Sequence, residues 1–571
     1  MENEQIAAIF DKIADLLDLK GGNEFRVRSY RNAARSIRNQ SERVEAMVER
    51  GEDLDNLPNV GKSIAQKVHE ILDRGTCDRL EELEKEFPEG LTHLMDVQGL
   101  GPRKALELYE ELGISSLDEL QQACEDHRVR ELEGMGPKTE EKVLHGIRIL
   151  RATAGRLLYP AAREHADAIG RHLDQVDAIE RWEVAGSLRR RKDTVGDLDV
   201  LVQAKDREAA AQGIVECPEV GEVLSKGHEK VTVRMADGFQ VDFQFFDAAV
   251  IGAALMHFTG SKAHSIALRR RAQERDWKLN ERGLFKGDRR LAGKTEKAIY
   301  QRLGLTWIPP ELREDMGEVQ AAEQDELPRL VKLDDLRGDL HTHTERTDGQ
   351  HSLNEMTVAA RARGYEYFAV TEHSQRVSVA QGLDDEDMRR HAAHIREFDG
   401  GFKDLWVLAG VEVDILKKGD LDLKEQTLAD LDWVVASVHS YFELEEKEMT
   451  ERLLAAIRSG VVHCIGHPTG RMIGKRDPIK FDAERVFDAC AEHNVCLEID
   501  SQPDRRDLPD YYVKEAKEAG CRFSIATDAH STSGFDIIEL GVYSARRGWL
   551  EKKNVVNTLT ARELRKRLHG D

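Results

Sequence analysis

The sequence is short of the features that mark exported or membrane-bound proteins. Its seven cysteines, at positions 77, 124, 217, 464, 490, 496 and 521, are scattered, odd in number and never at CxxC spacing. That argues against a disulfide framework and against a zinc ribbon, and it fits a reducing cytoplasm. No apolar run approaches the roughly 20 residues that span a bilayer. The opening MENEQIAAIFDKIADLL also lacks a basic leader ahead of an apolar core. A cytoplasmic chain with no membrane partner is the expectation.

Positive charge is in deficit as well. The 84 Lys and Arg against 107 Asp and Glu leave a net charge of -23, which by itself speaks against a polyanionic partner. The deficit is uneven. Residues 251–313 carry 14 Lys plus Arg against 6 Asp plus Glu, whereas 314–336 carry 2 against 8. A basic block inside an acidic chain can track phosphates, although a solvated face is the commoner reading of a charge run. At 571 residues the chain exceeds what one hydrophobic core supports, so two to four domains are expected.

What is present begins with helices broken by glycine turns over the first 150 residues. Apolar residues recur at helical spacing in IAAIFDKIADLLDL and CDRLEELEKEF. A theme then repeats in LPNVGKSIAQKV (57–68), VQGLGPRKALEL (97–108) and LEGMGPKTEEKV (132–143). Each sets an apolar residue and a glycine in a tight turn before a helix. Free N–H groups there can hold a phosphate without reading sequence. The segments resemble helix-hairpin-helix motifs, with Gly61, Gly99, Gly101, Gly134 and Gly136 as backbone-contact positions. One such turn would be an ordinary connection between helices; three favour DNA backbone binding.

From 182 to 247 the pattern turns to strands. In VAGSLRRRKDTVGDLDVLV, Asp197 and Asp199 stand two apart on an expected strand, so both carboxylates share one face. Asp242 in QVDFQ lies on another expected strand and can complete a three-carboxylate cluster. Two hard divalent cations held this way suit phosphoryl transfer. Gly186, Ser187 and Arg190 just upstream offer backbone N–H, hydroxyl and guanidinium to a triphosphate. A lone DxD is weak evidence, because surface strands often carry paired acids.

With these residues together, the chain resembles the family X DNA polymerases of the bacterial and archaeal type that carry a C-terminal PHP domain. The resemblance implies that Asp197 and Asp199 bind both metals and that Asp242 binds the catalytic one, with Mg2+ or Mn2+ as cofactor. It makes Gly186, Ser187, Arg190 and Gly196 part of the nucleotide site. LMHFTGSKAHSIALRRRA (255–272) is similar to the family's nucleotide and template stretch, which implies roles for Phe258, Gly260, Ser265 and Arg269. His257, Ser265 and Gln244 stand where the family commonly has Tyr, Asn and Arg. FRVRSYRNAARSI (25–37) is similar to the family's lyase-type domain. That implies a 5′-phosphate contact for Arg26 and either a phosphate contact or a Schiff-base role for Lys67, the phosphate contact being the commoner for such a lysine.

The last third alternates strands and helices, which predicts a parallel sheet or barrel. RGDLHTHTERTDG supplies His341, His343 and Asp348. FAVTEHS, WVLAGVEVD, WVVASVHS, VVHCIGHPTG and RFSIATDAHS then supply His373, Glu412, His439, His467, Asp528 and His530. Each follows an apolar run of strand length, so a barrel would gather them at its C-terminal rim. Imidazole-rich donors suit Mn2+, Zn2+ or Fe2+ better than Mg2+ or Ca2+. The set resembles a PHP domain, which implies up to three ions and phosphoester hydrolysis, with Arg471 and Arg505 as phosphate contacts.

The expected fold is multidomain α/β. A helical lyase-like DNA-binding unit covers 1–85, and a fingers-like unit with two helix-hairpin-helix motifs covers 86–150. A nucleotidyltransferase palm of mixed β-sheet and helices (151–250), a thumb (251–316) and an acidic linker (317–336) follow. A distorted β/α barrel, the PHP unit, covers 337–571. The resemblance implies a monomeric, nucleoid-associated polymerase that fills gapped or nicked DNA with dNTPs and carries a 3′–5′ exonuclease; AP endonuclease and 3′-phosphatase activities are extensions of the same chemistry. The competing readings are a small-molecule phosphatase of PHP type and a DNA-end scaffold with a structural metal module.

Overall fold

A computed structural model describes residues 1–571 except positions 2, 22, 39, 41, 42, 58, 89, 98, 99, 154, 378, 379, 400, 403 and 571. The N-terminal region is helical, as its apolar spacing requires. Ile6, Phe10, Ile13 and Leu17 line one face of the helix Asn3–Leu19 and are buried. The helices Lys62–Arg74 and Pro102–Leu112 begin directly after Gly61 and Gly101, and both end on left-handed glycines, Gly75 and Gly113. A third such helix, Pro137–Thr153, follows the Gly134–Gly136 turn. One continuous core runs from Ile6 to Ile147, so the segments 1–85 and 86–150 pack together.

The palm is a five-stranded mixed sheet, in spatial order Ile179–Val184, Leu198–Ala204, Gln240–Phe245, Lys230–Met235 and Val220–Lys226. Leu198–Ala204 and Gln240–Phe245 run parallel, and their register sets Asp199 directly opposite Asp242. The thumb adds the helices Ile251–Thr259, Lys262–Gln273 and Glu296–Arg302 around a small antiparallel sheet. A buried ion cluster ties palm to thumb. Arg189 grips both oxygens of Glu296 at 2.8 and 2.9 Å, and Arg313, fully buried, adds a third bond at 2.7 Å. Burial opposes ionisation of Glu296, yet the two guanidinium groups outweigh it and hold the carboxyl well below its ordinary range.

The acidic stretch expected as a linker is packed structure. It carries the helix Glu318–Gln324, whose Val319 and Ala322 join the thumb core. Glu318 is fully buried and accepts from His264 Nδ1 at 2.6 Å. A stretch read from sequence as a linker thus contains an acid whose partner lies 54 residues away.

Seven parallel strands in sequential order form the C-terminal unit: Gly338–Thr342, Tyr367–Val370, Trp406–Asp414, Trp433–Ser437, Cys464–Ile465, Cys496–Asp500 and Phe523–Ala526. A bridge from Thr342 to Ala529 brings the first and last edges together, so the sheet curls into a nearly closed barrel. Strand alternation divides the interior into two levels. On Trp406–Asp414, Trp406 and Leu408 join an apolar plug with Trp433, Val435, Cys464 and Cys496, which the C-terminal helix Ala561–His569 caps. Further along the same face stand Glu412 and Asp414.

Glu296→Leu leaves Arg189 and Arg313 without their carboxylate, and truncating one side of such a cluster typically costs about 3–5 kcal/mol. The expected outcome at pH 7 is a clear drop in melting temperature by calorimetry. Because the carboxyl is depressed in the folded state, the difference between variant and parent should shrink as pH falls below the ordinary glutamate range.

Candidate metal centres

The palm acids are built around a glycine turn. Gly186 has φ +61°, and a Cβ placed on it would lie 2.6 Å from Asp199 Oδ2. Any side chain there would push the carboxylate away. Asp197 precedes the strand, Asp199 lies within it, and Asp242 faces Asp199 from the neighbouring strand. Burial first, then the charges of Asp197 and Asp242, push Asp199 up to about 7. Asp242 is held by the Thr232 hydroxyl at 2.7 Å and by Lys230 Nζ at 2.9 Å. Among the described residues the tightest ligand groups lie in the barrel, not here. Lys230 accordingly supplies the positive charge that faces Asp242.

Of the residues expected at the nucleotide site, Arg190 and Gly260 meet at the palm–thumb seam. Ser187 lies in the short helix Gly186–Arg189. Arg190 donates to Glu314 Oε1 at 3.0 Å and to the Thr259 carbonyl, so its guanidinium spans the seam beside Gly260. Gly196 backs onto Arg156. Phe258 packs against Phe246 with ring centroids 5.7 Å apart, and Arg269 Nη2 stands 3.3 Å from His257 Nδ1. Ser265 lies one turn into the helix Lys262–Gln273.

The hairpin turns face open space at Gly61, Gly101, Gly134 and Gly136, where an added Cβ would meet nothing within 4 Å. Gly99 lies outside the described residues. Arg26 is exposed, and Lys67 Nζ donates to the Ser63 carbonyl and hydroxyl at 3.0 Å.

At the barrel rim the nine expected ligands meet. The ligand atoms of His343, Asp348, His373 and His530 all lie within 4.8 Å of one another, as do those of His341, His343 and Asp528, and those of His373, Glu412 and His439. His467 joins through Nε2, 2.9 Å from Glu412 Oε1. His343 and His373 each belong to two groups, so the three groups form one continuous nest. His341 Nε2, both nitrogens of His343, Nδ1 of His467, and Oδ1 of Asp348 and Asp528 are buried and make no hydrogen bond. Orphaned buried donors and acceptors of this kind call for an ion. Imidazole and carboxylate together fit a polynuclear centre of borderline transition metals.

The charges in the nest are mutually dependent. Burial, with His530 and His373 nearby, pushes His343 down to about 3. Burial works against the His373 cation too, but Glu412 and Asp348 outweigh it and push His373 up to about 10. Glu412 is itself held well below the ordinary carboxylate range, its burial outweighed by His439, His373 and His341.

Two supporting acids escaped the sequence reading. Glu498 accepts from His341 Nδ1 at 2.7 Å and from the His467 backbone N–H at 2.6 Å, fixing two ligands from different strands. Asp414 accepts from the His439 N–H at 3.2 Å and lies 3.3 Å from its Nδ1. The signal was available: Glu412 and Asp414 in VEVD, like Glu498 and Asp500 in LEID, are two apart on one strand and so share the lumen face.

Of the two arginines expected to meet phosphate, Arg505 stands at the nest, 3.7 Å from Asp500. Arg471 is a correction. It points into the domain interface, donating to Asp193 of the palm at 2.8 Å and to the Arg505 and Arg506 carbonyls at 2.7 and 2.5 Å, which leaves its guanidinium committed away from the rim.

Comparison with known proteins agrees with this architecture segment by segment. Residues 1–77 match a helix-hairpin-helix domain, 91–148 a SAM-like helix-hairpin-helix tandem, 254–314 the DNA polymerase beta thumb and 339–502 the PHP domain. A Bacillus subtilis (strain 168) protein, DNA polymerase/3′-5′ exonuclease PolX, is 35% identical over 568 residues, 99% of both chains. The chain belongs to the family X DNA polymerases. DNA polymerase lambda of Arabidopsis thaliana matches 54% of this family X chain at 23% identity, over 62% of its own length. A probable phosphatase of Photobacterium profundum is 34% identical over 34% of the chain and 77% of its own length. The family's PHP module is therefore present here with a polynuclear metal-binding nest of His, Asp and Glu.

Two measurements probe the centres of this polymerase. Asp199→Asn should raise the melting temperature of the metal-free protein more at pH 8 than at pH 5. A carboxyl whose folded pKa is raised to about 7 weakens the fold progressively as pH climbs above the ordinary aspartate range, where the unfolded chain ionises first, and the penalty is complete above about 7. Glu498→Gln should weaken Mn2+ binding at the barrel by about 10- to 100-fold in a metal titration, while circular dichroism stays that of the parent.

Proposed function

We propose that the protein is a repair polymerase that fills short gaps and carries a 3′–5′ exonuclease in its barrel. The observation that supports this best is the presence, on one chain, of a palm acid cluster beside a glycine-serine turn and a separate rim nest of nine ligand side chains. The Bacillus relative that aligns end to end is named for both activities. The protein acts as a monomer on gapped or nicked DNA and dNTPs, in the cytoplasm at the nucleoid; among the described residues no helix is long and apolar enough to cross a membrane.

In the polymerase reaction the primer 3′-oxygen forms a bond to the α-phosphorus of the dNTP and pyrophosphate leaves. Asp197, Asp199 and Asp242 would hold Mg2+ or Mn2+, which when bound would supply neutralisation of the charge that develops on phosphate. The Gly186–Ser187 turn presents N–H and hydroxyl donors to the triphosphate, and Arg190 shifts from Glu314 to phosphate as the nucleotide enters. Phe258 and Gly260 border the sugar, Ser265 lies by the base and Arg269 toward the template. Arg26, Gly61, Lys67, Gly101, Gly134 and Gly136 hold the DNA backbone, Lys67 as a phosphate contact. The basic run at 251–313 gives the acidic chain its local site for a polyanion.

In the barrel the nine ligands would hold up to three ions of Mn2+, Zn2+ or Fe2+, which when bound would supply Lewis acidity toward a phosphodiester. Glu498 and Asp414 keep His341 and His439 turned toward the nest, and Arg505 meets the phosphate. The probable phosphatases among the relatives favour a second use of this centre, removal of a 3′-terminal phosphate.

Replacing Asp197 and Asp199 with Ala should abolish nucleotide addition in Mn2+ on a gapped duplex and spare exonuclease activity. His341→Ala with His343→Ala should do the reverse. A gel assay reads both, and joint loss in either variant would contradict two separate centres.

A further inference from the structure

Tyr441 stands two residues beyond the ligand His439, which is at most about 7 Å of chain. Tyr441 is 47% exposed, one of eight large apolar residues so exposed among the described residues. Its φ is +56°, a left-handed conformation that a non-glycine residue holds only when its surroundings enforce it. The enforcement comes from beneath. Arg452, nearly fully buried, donates to the Ser440 carbonyl at 2.8 Å and the Leu416 carbonyl at 3.0 Å, bracing the turn against the neighbouring loop. Lys417 Nζ lies 5.4 Å from the Tyr441 ring centroid. The next residue, Phe442, has the Arg476 guanidinium 3.8 Å over its ring. Aromatic faces interleaved with cations, on a braced turn beside a metal nest, are what an unpaired nucleic acid strand recognises.

A phosphate-holding element meets the rim at the same place. Lys142, on the helix that follows the Gly134–Gly136 turn, pairs with Glu443, and His145 Nε2 lies 2.6 Å from Asp477. From Pro137 to Lys142 is about 7.5 Å of helix. The hairpin turn and Tyr441 therefore lie on either side of one contact.

We propose that Tyr441 is the platform on which the unpaired 3′-terminal base of a DNA strand stacks as its last phosphodiester enters the barrel. Tyr441 thereby sets a preference of the barrel for frayed or single-stranded ends over paired ones, whose terminal base is already stacked in the duplex. The proposal rests on the barrel being a nuclease. Tyr441 positions substrate and takes no part in bond breaking.

The test compares the full-length parent with Tyr441→Ala and Tyr441→Trp on two single-stranded oligonucleotides, one normal and one abasic at its 3′ end. The expected result is a KM about 10-fold higher for Tyr441→Ala on the normal strand, with kcat, bound metal and activity on the abasic strand unchanged, and near-parent values for Tyr441→Trp. Equal impairment on both strands, or none on either, overturns the proposal. A direct binding measurement separates this from failure of the nuclease reading: an oligonucleotide with 3′-terminal 2-aminopurine and a non-hydrolysable last linkage should be quenched by the parent and by Tyr441→Trp but not by Tyr441→Ala. If the parent cuts no DNA, the nuclease reading fails and this quenching still decides on stacking; absence of quenching by the parent overturns the proposal outright.

Discussion

A carboxylate taken out of water persists only where something positive faces it, and that constraint organises both halves of this molecule. Glu412 is almost wholly buried with His341, His373, His439 and His467 around it. Those imidazoles leave several nitrogens without partners, so the nest is balanced in sign yet unfinished in bonding. Cations complete it. In the palm the balance tips the other way: burial with the charges of Asp197 and Asp242 raises Asp199 against the opposing charges of Lys230 and Arg190. The barrel is a site prepared with its own imidazoles, whereas the palm acid cluster has none among the described residues and leaves Asp199 raised by burial and by its acidic neighbours.

The same constraint welds the domains together. Asp193 sits between palm and barrel with Arg471 at 2.8 Å and Arg506 at 3.3 Å, and burial of the carboxyl is outweighed by these guanidinium groups, which hold it well below its ordinary range. Arg547, from the last part of the chain, donates to the Arg190 carbonyl at 2.7 Å and shares Glu314 with the Arg190 side chain. Tyr159 and Tyr543 meet edge to face across the same boundary. The segment that follows the Gly186–Ser187 turn is thus seated against the barrel. A buried interface of paired charges of this kind fixes relative placement more than it adds net stability.

Much of this was legible in the sequence because strands impose a short, regular grammar. Each barrel ligand follows an apolar run of strand length, and strand ends in a parallel barrel converge on one rim. The pairing of Asp199 with Asp242 could be anticipated only as a cluster; its register comes from the sheet. The three glycine turns were legible because a glycine before a helix has few structural alternatives. What could not be read depends on distance in sequence. Arg471 looks like a phosphate contact beside HPTG, but its partner, Asp193, is 278 residues away. Glu318 lies in a stretch that reads as a linker, and only the folded chain reveals His264 against it. Glu498 and Asp414 lie between these cases, since alternation points them inward while their service to His341 and His439 needs the neighbouring strands in place.

Anomalous diffraction from crystals soaked in Mn2+ and a dNTP tests the central claim most directly. Manganese peaks are expected inside the rim nest, bonded to His341, His343, His373, Glu412, His439 and Asp528, and at a separate site between Asp197, Asp199 and Asp242. A rim without peaks, its imidazoles bonded only to one another and to water, would contradict it.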